Sequence, residues 1–256
     1  MEKFKLKLGD KDLIVEISDL AEQASGSCLV QYGDTLVLAT AVMSEQKREG
    51  IDYFPLSVNY EERHYAAGKI LGSRYMRREG RPSDEAILAS RLIDRAIRPL
   101  FPKSLKKDVQ VIITCLSWDK ENDPDILGLL AASISLLISD IPWSGPVAPL
   151  RIGQEKENLV INPTYAQREQ SDLDLIISAV ERDNEILINM IEAEAKEIDE
   201  KTVLKAIEWS KPSLEKLINF QNQIVKRVAK KKQAIELVDI QPKLQKEIIR
   251  KKEIVF

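Results

Sequence analysis

The sequence predicts an α+β fold, with helices on a mainly antiparallel or mixed sheet and a helical segment at the C-terminus. Three observations carry this. Four or five alternating stretches precede the first helical pattern. Two helices then flank one β-rich run, and four more short strands follow. After residue 218 the composition changes, and no glycine occurs from Asn219 to Phe256.

The elements follow in order. Lys3 to Leu8 alternates Phe4, Leu6 and Leu8 with lysines, and Leu13, Val15 and Ile17 repeat the pattern, with Gly9-Asp10 as the turn. Ser27 to Gln31 and Thr35 to Met43 flank Gly33-Asp34, a hairpin signal. Tyr53 to Tyr60 reads as a further strand. Gly68 to Pro82 reads as a loop, because Gly68, Gly72, Gly80 and Pro82 break every period. Ser83 then caps a helix with Asp84 and Glu85 in its first turn, and the helix stops before Pro99. Val109 to Trp118 is β-rich. Asp123-Pro124-Asp125 opens a mostly apolar helix to about Ser139, whose small residues suggest close packing. Val147–Ile152, Asn158–Ile161, Leu173–Ser178 and Glu185–Ile191 read as strands. Ile198 to Leu217 reads as a helix that Pro212 breaks. Asn219 to Phe256, with its Lys230-Lys231-Lys232 run, reads as a helical segment loosely attached to the core.

Composition sets bounds. The chain has 256 residues, 44% hydrophobic and 31% charged, which is ordinary for a globular protein. Its net charge of -3 means that any nucleic-acid contact comes from a local patch. Cys28 and Cys115 lie in apolar, strand-like runs and read as buried free thiols, which suits a reducing compartment. The N-terminus lacks a signal-peptide core, and the apolar run Ile126–Ile138 is too short to span a bilayer, so the expectation is a cytoplasmic protein without membrane contact.

Seven of the fourteen arginines fall between Gly68 and Pro102. Arg91, Arg95 and Arg98 occupy about a 60° arc of the first helix, opposite Ala89, Leu92, Ile93 and Ala96. Tyr75-Met76-Arg77-Arg78 sets an aromatic and a soft apolar side chain beside two cations. Guanidinium forks match phosphate oxygens, and aromatic faces stack on bases, so the combination suits single-stranded RNA or DNA. A surface network with Asp84 and Asp94 would also account for the helical arginines. The lone His64 has no Cys or His at ligand spacing and reads as structural. No phosphate-binding glycine motif of Walker or dinucleotide type occurs, and no serine sits in a nucleophile elbow.

The stretch AAGKILGSRYMRREGRPSDEAILASRLIDRAIRPLFP, with YFPLSVNYEERHYAAG before it and DIPWSGPVAPLRIG after it, resembles the first ribonuclease-PH-type domain of bacterial polynucleotide phosphorylases. The resemblance runs from about residue 3 to residue 210. It implies a ribosomal-protein-S5-domain-2-like, ribonuclease-PH-type fold over residues 1–218, with residues 219–256 beginning an all-helical linker domain. A second ribonuclease-PH-type domain, then KH and OB-fold domains, would follow. It also implies a phosphorolytic 3′-to-5′ exoribonuclease of mRNA degradation, working as a homotrimeric ring on single-stranded RNA, with partners in RNA-degradation complexes. Tyr75, Met76, Arg77 and Arg78 stand where that family has a Phe-Phe-Arg-Arg channel loop; Tyr75 retains a ring and Met76 does not.

The catalytic positions differ. Asp172 and Asp174 frame a strand, and paired carboxylates there suit Mg²⁺ or proton donation. In the family's active domain one Asp matches Asp174, with a second six residues before it and a Lys two residues after it. Here those positions hold Arg168 and Ile176. A Gly-Ser-Ser-Ser phosphate loop is replaced by Asp123-Pro124-Asp125-Ile126, whose carboxylates repel phosphate. The expectation is that Mg²⁺ and inorganic phosphate belong to the full-length enzyme, with no catalytic or metal-binding residue in this chain. A stand-alone, catalytically inactive RNA-binding or assembly module is the alternative.

Overall fold

The structure is a computed structural model and describes residues 1–70, 80–156 and 158–234. Tyr75, Met76, Arg77 and Arg78 lie outside the described residues, as does the chain from 235 onward.

Two sheets form the frame. The first contains β1 (Glu2–Leu8), β2 (Lys11–Ile17), β3 (Gly26–Tyr32), β4 (Thr35–Lys47), β5 (Leu56–Glu61) and β6 (Lys107–Ser117), in the order β1-β2-β3-β4-β6-β5. The second contains β7 (Ala148–Glu155), β8 (Asn158–Ile161), β9 (Leu173–Arg182) and β10 (Glu185–Ala195), in the order β10-β9-β7-β8. Every pairing is antiparallel except β5 with β6. A parallel pair needs a crossover, and α1 (Asp84–Ile97) lies within it. The α+β expectation holds, and the first sheet is mixed.

Local chemistry explains the elements. Gly33 takes φ 62° at the β3–β4 turn, a conformation that glycine adopts without penalty. The Ser83 hydroxyl accepts the Ala86 N–H and starts α1 where the sequence places it. Helix α2 (Pro124–Ile138) is buried from Ile126 to Ile138 and packs on β3 and β4 of one sheet and on β7 of the other. Gly26 on β3 allows this approach, because a Cβ there would lie 2.2 Å from the Ser135 carbonyl oxygen. Cys28 and Cys115 are buried and free.

Two expectations need correction. Pro212 does not break the last helix: α4 runs unbroken from Glu200 to Val228. The proline ring is exposed, while Ala206, Ser210, Leu214, Leu217, Ile218, Gln221 and Ile224 form one continuous buried stripe. Packing of that stripe outweighs the one hydrogen bond that proline cannot donate. Nor are residues 219–228 loosely attached. The 218/219 boundary falls inside α4, and Phe220, Gln221 and Ile224 are core residues. Gln221 joins the buried Ser133 hydroxyl of α2 to the Val147 carbonyl. Residues 229–234 then leave the helical state. No helix among the described residues is long and apolar enough to cross a membrane.

A short helix was also not anticipated. Helix α3 (Tyr165–Glu169) opens with a capping box, in which Thr164 accepts the Gln167 N–H and Gln167 accepts the Thr164 N–H.

Candidate functional site

A cleft of about 1880 Å³ opens beside the N-terminal end of α2. Asp123, the N-cap of α2, accepts the Asp125 N–H, and Pro124 supplies the first helical residue. Arg151 reaches the cleft from β7, Arg168 from α3 and Asp174 from β9. Strand register makes the meeting possible. Gly153 of β7 pairs with Asp174 and Arg151 pairs with Ile176, so Arg151 and Asp174 are diagonal neighbours on the sheet.

Arg151 is 4% exposed and binds three carboxylates. Its Nη1 lies 2.7 Å from Asp174 Oδ2, and its Nη2 lies 2.8 Å from Asp125 Oδ2 and 3.2 Å from Asp123 Oδ2. Arg168 closes the network, 2.9 Å from Asp174 and 2.5 Å from Asp123. The Arg168 guanidinium also lies over the Tyr165 ring, which meets the Trp118 ring edge-on. Burial, reinforced by the neighbouring Asp123 charge, pushes the Asp125 carboxyl up to about 8. Three carboxyl groups thus meet two guanidiniums in one paired cluster.

That pairing decides what the site can do. The N-terminal end of α2 is the place where a helix offers N–H groups and positive potential to an anion. Here Asp123 and Asp125 occupy it, so the site does not fit phosphate. The carboxylates that would hold a divalent cation are engaged by Arg151 and Arg168, so it does not fit Mg²⁺ either. Asp172 is exposed at the surface and forms no pair with Asp174. The sequence pointed to Asp123, Asp125, Arg168 and Asp174 singly. It did not point to Arg151, whose signal was a lone cation inside the apolar strand APLRIG.

The helical arginines divide three ways. Arg98 binds Asp94 at 2.8 Å and donates to the Phe54 and Leu56 carbonyl oxygens beside β5. Arg95 binds Glu192 at 2.8 Å and the Ile191 carbonyl of β10. Arg91 is exposed and has no hydrogen-bond or ion-pair partner among the described residues. Asp84 pairs with none of the three. His64 lies in a 3-10 turn on the cleft wall.

Two sheets packed about helix α2 form a ribonuclease-PH-type unit. The 3′ exoribonuclease family supplies both matches to the sequence: its domain 1 over residues 10–142 and its domain 2 over residues 145–212. The chain belongs to that family. Polyribonucleotide nucleotidyltransferase of Thermus thermophilus is 46% identical over 96% of the chain, and that of Staphylococcus saprophyticus is 48% identical over 92%. The chain spans about a third of the length of these relatives, 34% and 33%. Among solved structures, rice Rrp46 aligns with a TM-score of 0.68 at 13% identity, covering 83% of this chain and 94% of that one. An Archaeoglobus fulgidus exosome with RNA bound to its active site aligns at 0.61 and 20% identity, covering 83% of this chain and 87% of that one. Both likenesses concern the fold.

Proposed function

We propose that this chain is the N-terminal part of a phosphorolytic 3′-to-5′ exoribonuclease, a polyribonucleotide nucleotidyltransferase of cytoplasmic mRNA degradation. In this reading it binds single-stranded RNA and contributes to a homotrimeric ring, while phosphorolysis with Mg²⁺ and phosphate takes place elsewhere in the full-length enzyme. The observation that carries the reading is the cluster of Arg151 and Arg168 with Asp123, Asp125 and Asp174. It stands in a ribonuclease-PH-type fold and leaves no open seat for phosphate. Similarity to polyribonucleotide nucleotidyltransferases over nearly the whole chain supports the assignment of class.

RNA contact is assigned to Tyr75, Met76, Arg77, Arg78 and Arg91. Arg95 and Arg98 contribute less, because their guanidiniums are held by protein. Two measurements test this. Purified chain mixed with poly(A), phosphate and Mg²⁺ is expected to release no nucleoside diphosphate; steady release would overturn the assignment of chemistry. Labelled oligo(A) is expected to bind with salt-dependent affinity. Arg77→Ala with Arg78→Ala should flatten the salt slope by about 1.4, at about 0.7 per lost phosphate contact on a single strand. An unchanged slope in the double variant would remove the loop from the RNA site.

A further inference from the structure

The run Lys230-Lys231-Lys232 has the composition of a solvated basic surface, but two of its members are engaged. Lys232 Nζ lies 2.7 Å from the Leu136 carbonyl oxygen, 3.0 Å from that of Leu137 and 2.8 Å from that of Ser139. An ammonium has three N–H donors, and all three are used. These acceptors are at the C-terminal end of α2, where unsatisfied carbonyls and the helix dipole favour a cation. Helix α2 carries no basic residue in its own last turn. Asp140, just beyond the helix, adds negative charge, and its Oδ2 accepts from Gln233 Nε2. The cation arrives from a segment 93 to 96 residues away in sequence.

The surrounding bonds form a line. The Lys230 N–H donates to the Ile138 carbonyl at 3.0 Å and the Gln233 N–H to the Asp140 carbonyl at 2.8 Å. Lys230 Nζ donates to the Ser25 carbonyl at 2.8 Å, and Lys107 Nζ reaches Gln233 Oε1 at 3.4 Å. Lys231, between the two engaged lysines, is exposed. Residues 229–233 are neither helix nor strand, so these bonds to other parts of the chain are what hold them.

We propose that residues 229–233 are a strap fastened by charge, with the Lys232 ammonium as the fastener that fixes where the chain leaves this domain. A side chain without the charge cannot satisfy three carbonyls that converge on one point. Loss of that single charge therefore releases the strap while leaving α2, held by its apolar packing, in place.

Amide hydrogen exchange on the full 256-residue chain tests this. In Lys232→Met, exchange at Lys230 and Gln233 is expected to quicken at least tenfold, with Ile113 of β6 and Ile177 of β9 unchanged. Lys232→Arg, which keeps the charge, should recover part of the protection, and Lys231→Met should behave as wild type. Four results would overturn the proposal: wild-type protection in Lys232→Met, equal opening in Lys231→Met, no recovery in Lys232→Arg, or matching loss of protection at Ile113 and Ile177, which would make Lys232 a support of the whole domain.

Discussion

Arg151 shows how one residue governs the character of the cleft. Its guanidinium is the common partner of Asp123, Asp125 and Asp174, and it is almost completely buried. Removing it takes from buried Asp125 its only cation among the described residues and leaves Asp123 and Asp174 to share Arg168, and loss of one partner of a buried pair costs about 3–5 kcal/mol. Arg151→Met is expected to lower stability by that amount in urea unfolding, and a change below 1 kcal/mol would mean that water screens the cluster. Asp125 gives a pH signature. Its carboxyl is raised from an unfolded value of about 4 to about 8 in the fold, chiefly by burial and then by Asp123. Between those values the folded chain holds a proton that the unfolded chain has lost. The contribution to stability is therefore complete below the unfolded value, shrinks as pH rises, and is lost once pH passes the folded value. Asp125→Asn, which cannot titrate, is expected to flatten the dependence of the urea midpoint on pH between 5 and 8. Parallel curves for the two proteins would remove Asp125 as the source. The short capping-box helix that delivers Arg168 was readable in Thr164-x-x-Gln167, but five residues give too little periodicity to stand out.

At the scale of elements, α1 and α4 show where local pattern suffices and where it fails. The cap, boundaries and apolar back of α1 all follow from its own sequence. Of the partners of its arginines only Asp94 does, because Glu192 and the carbonyls of Phe54, Leu56 and Ile191 come from distant segments. This division is testable. Arg91→Ala should reduce the salt slope of oligo(A) binding by about 0.7 without altering thermal unfolding. Arg98→Ala should leave the slope unchanged and destabilise by about 1–3 kcal/mol, since two carbonyls lose their donor. The opposite pattern would exchange their roles. In α4, Pro212 is a strong local signal overridden by a buried stripe that continues past it. Pro212→Ala is expected to raise stability, by up to about 3 kcal/mol, in thermal unfolding. A loss of stability would mean that Pro212 helps to fit α4 to β7, β9 and β10.

The whole molecule divides into what neighbours in sequence decide and what only distant contacts decide. The proposed ring assembly predicts concentration-dependent association, and light scattering across a dilution series checks it; a strict monomer at high micromolar concentration would speak against the proposed ring. The sequence by itself determined the α+β class, most strands to within a few residues, the starts of α1 and α2, that of α4 to within two residues, and the resemblance to ribonuclease-PH-type domains. These depend on alternation, caps and turns, which act over a few residues. It also marked Asp123, Asp125 and Arg168 as departures from a phosphorolytic site, and Asp174 as the one position that matches it. Only the tertiary structure decided that these four converge on Arg151, because the meeting depends on the β7–β9 register and on where α3 lies. It alone continued α4 through Pro212 and set Lys232 of the lysine run on the C-terminal carbonyls of α2. In each case a charge or a proline has a local preference worth about 1 to 3 kcal/mol, and burial against a partner far along the chain outweighs it.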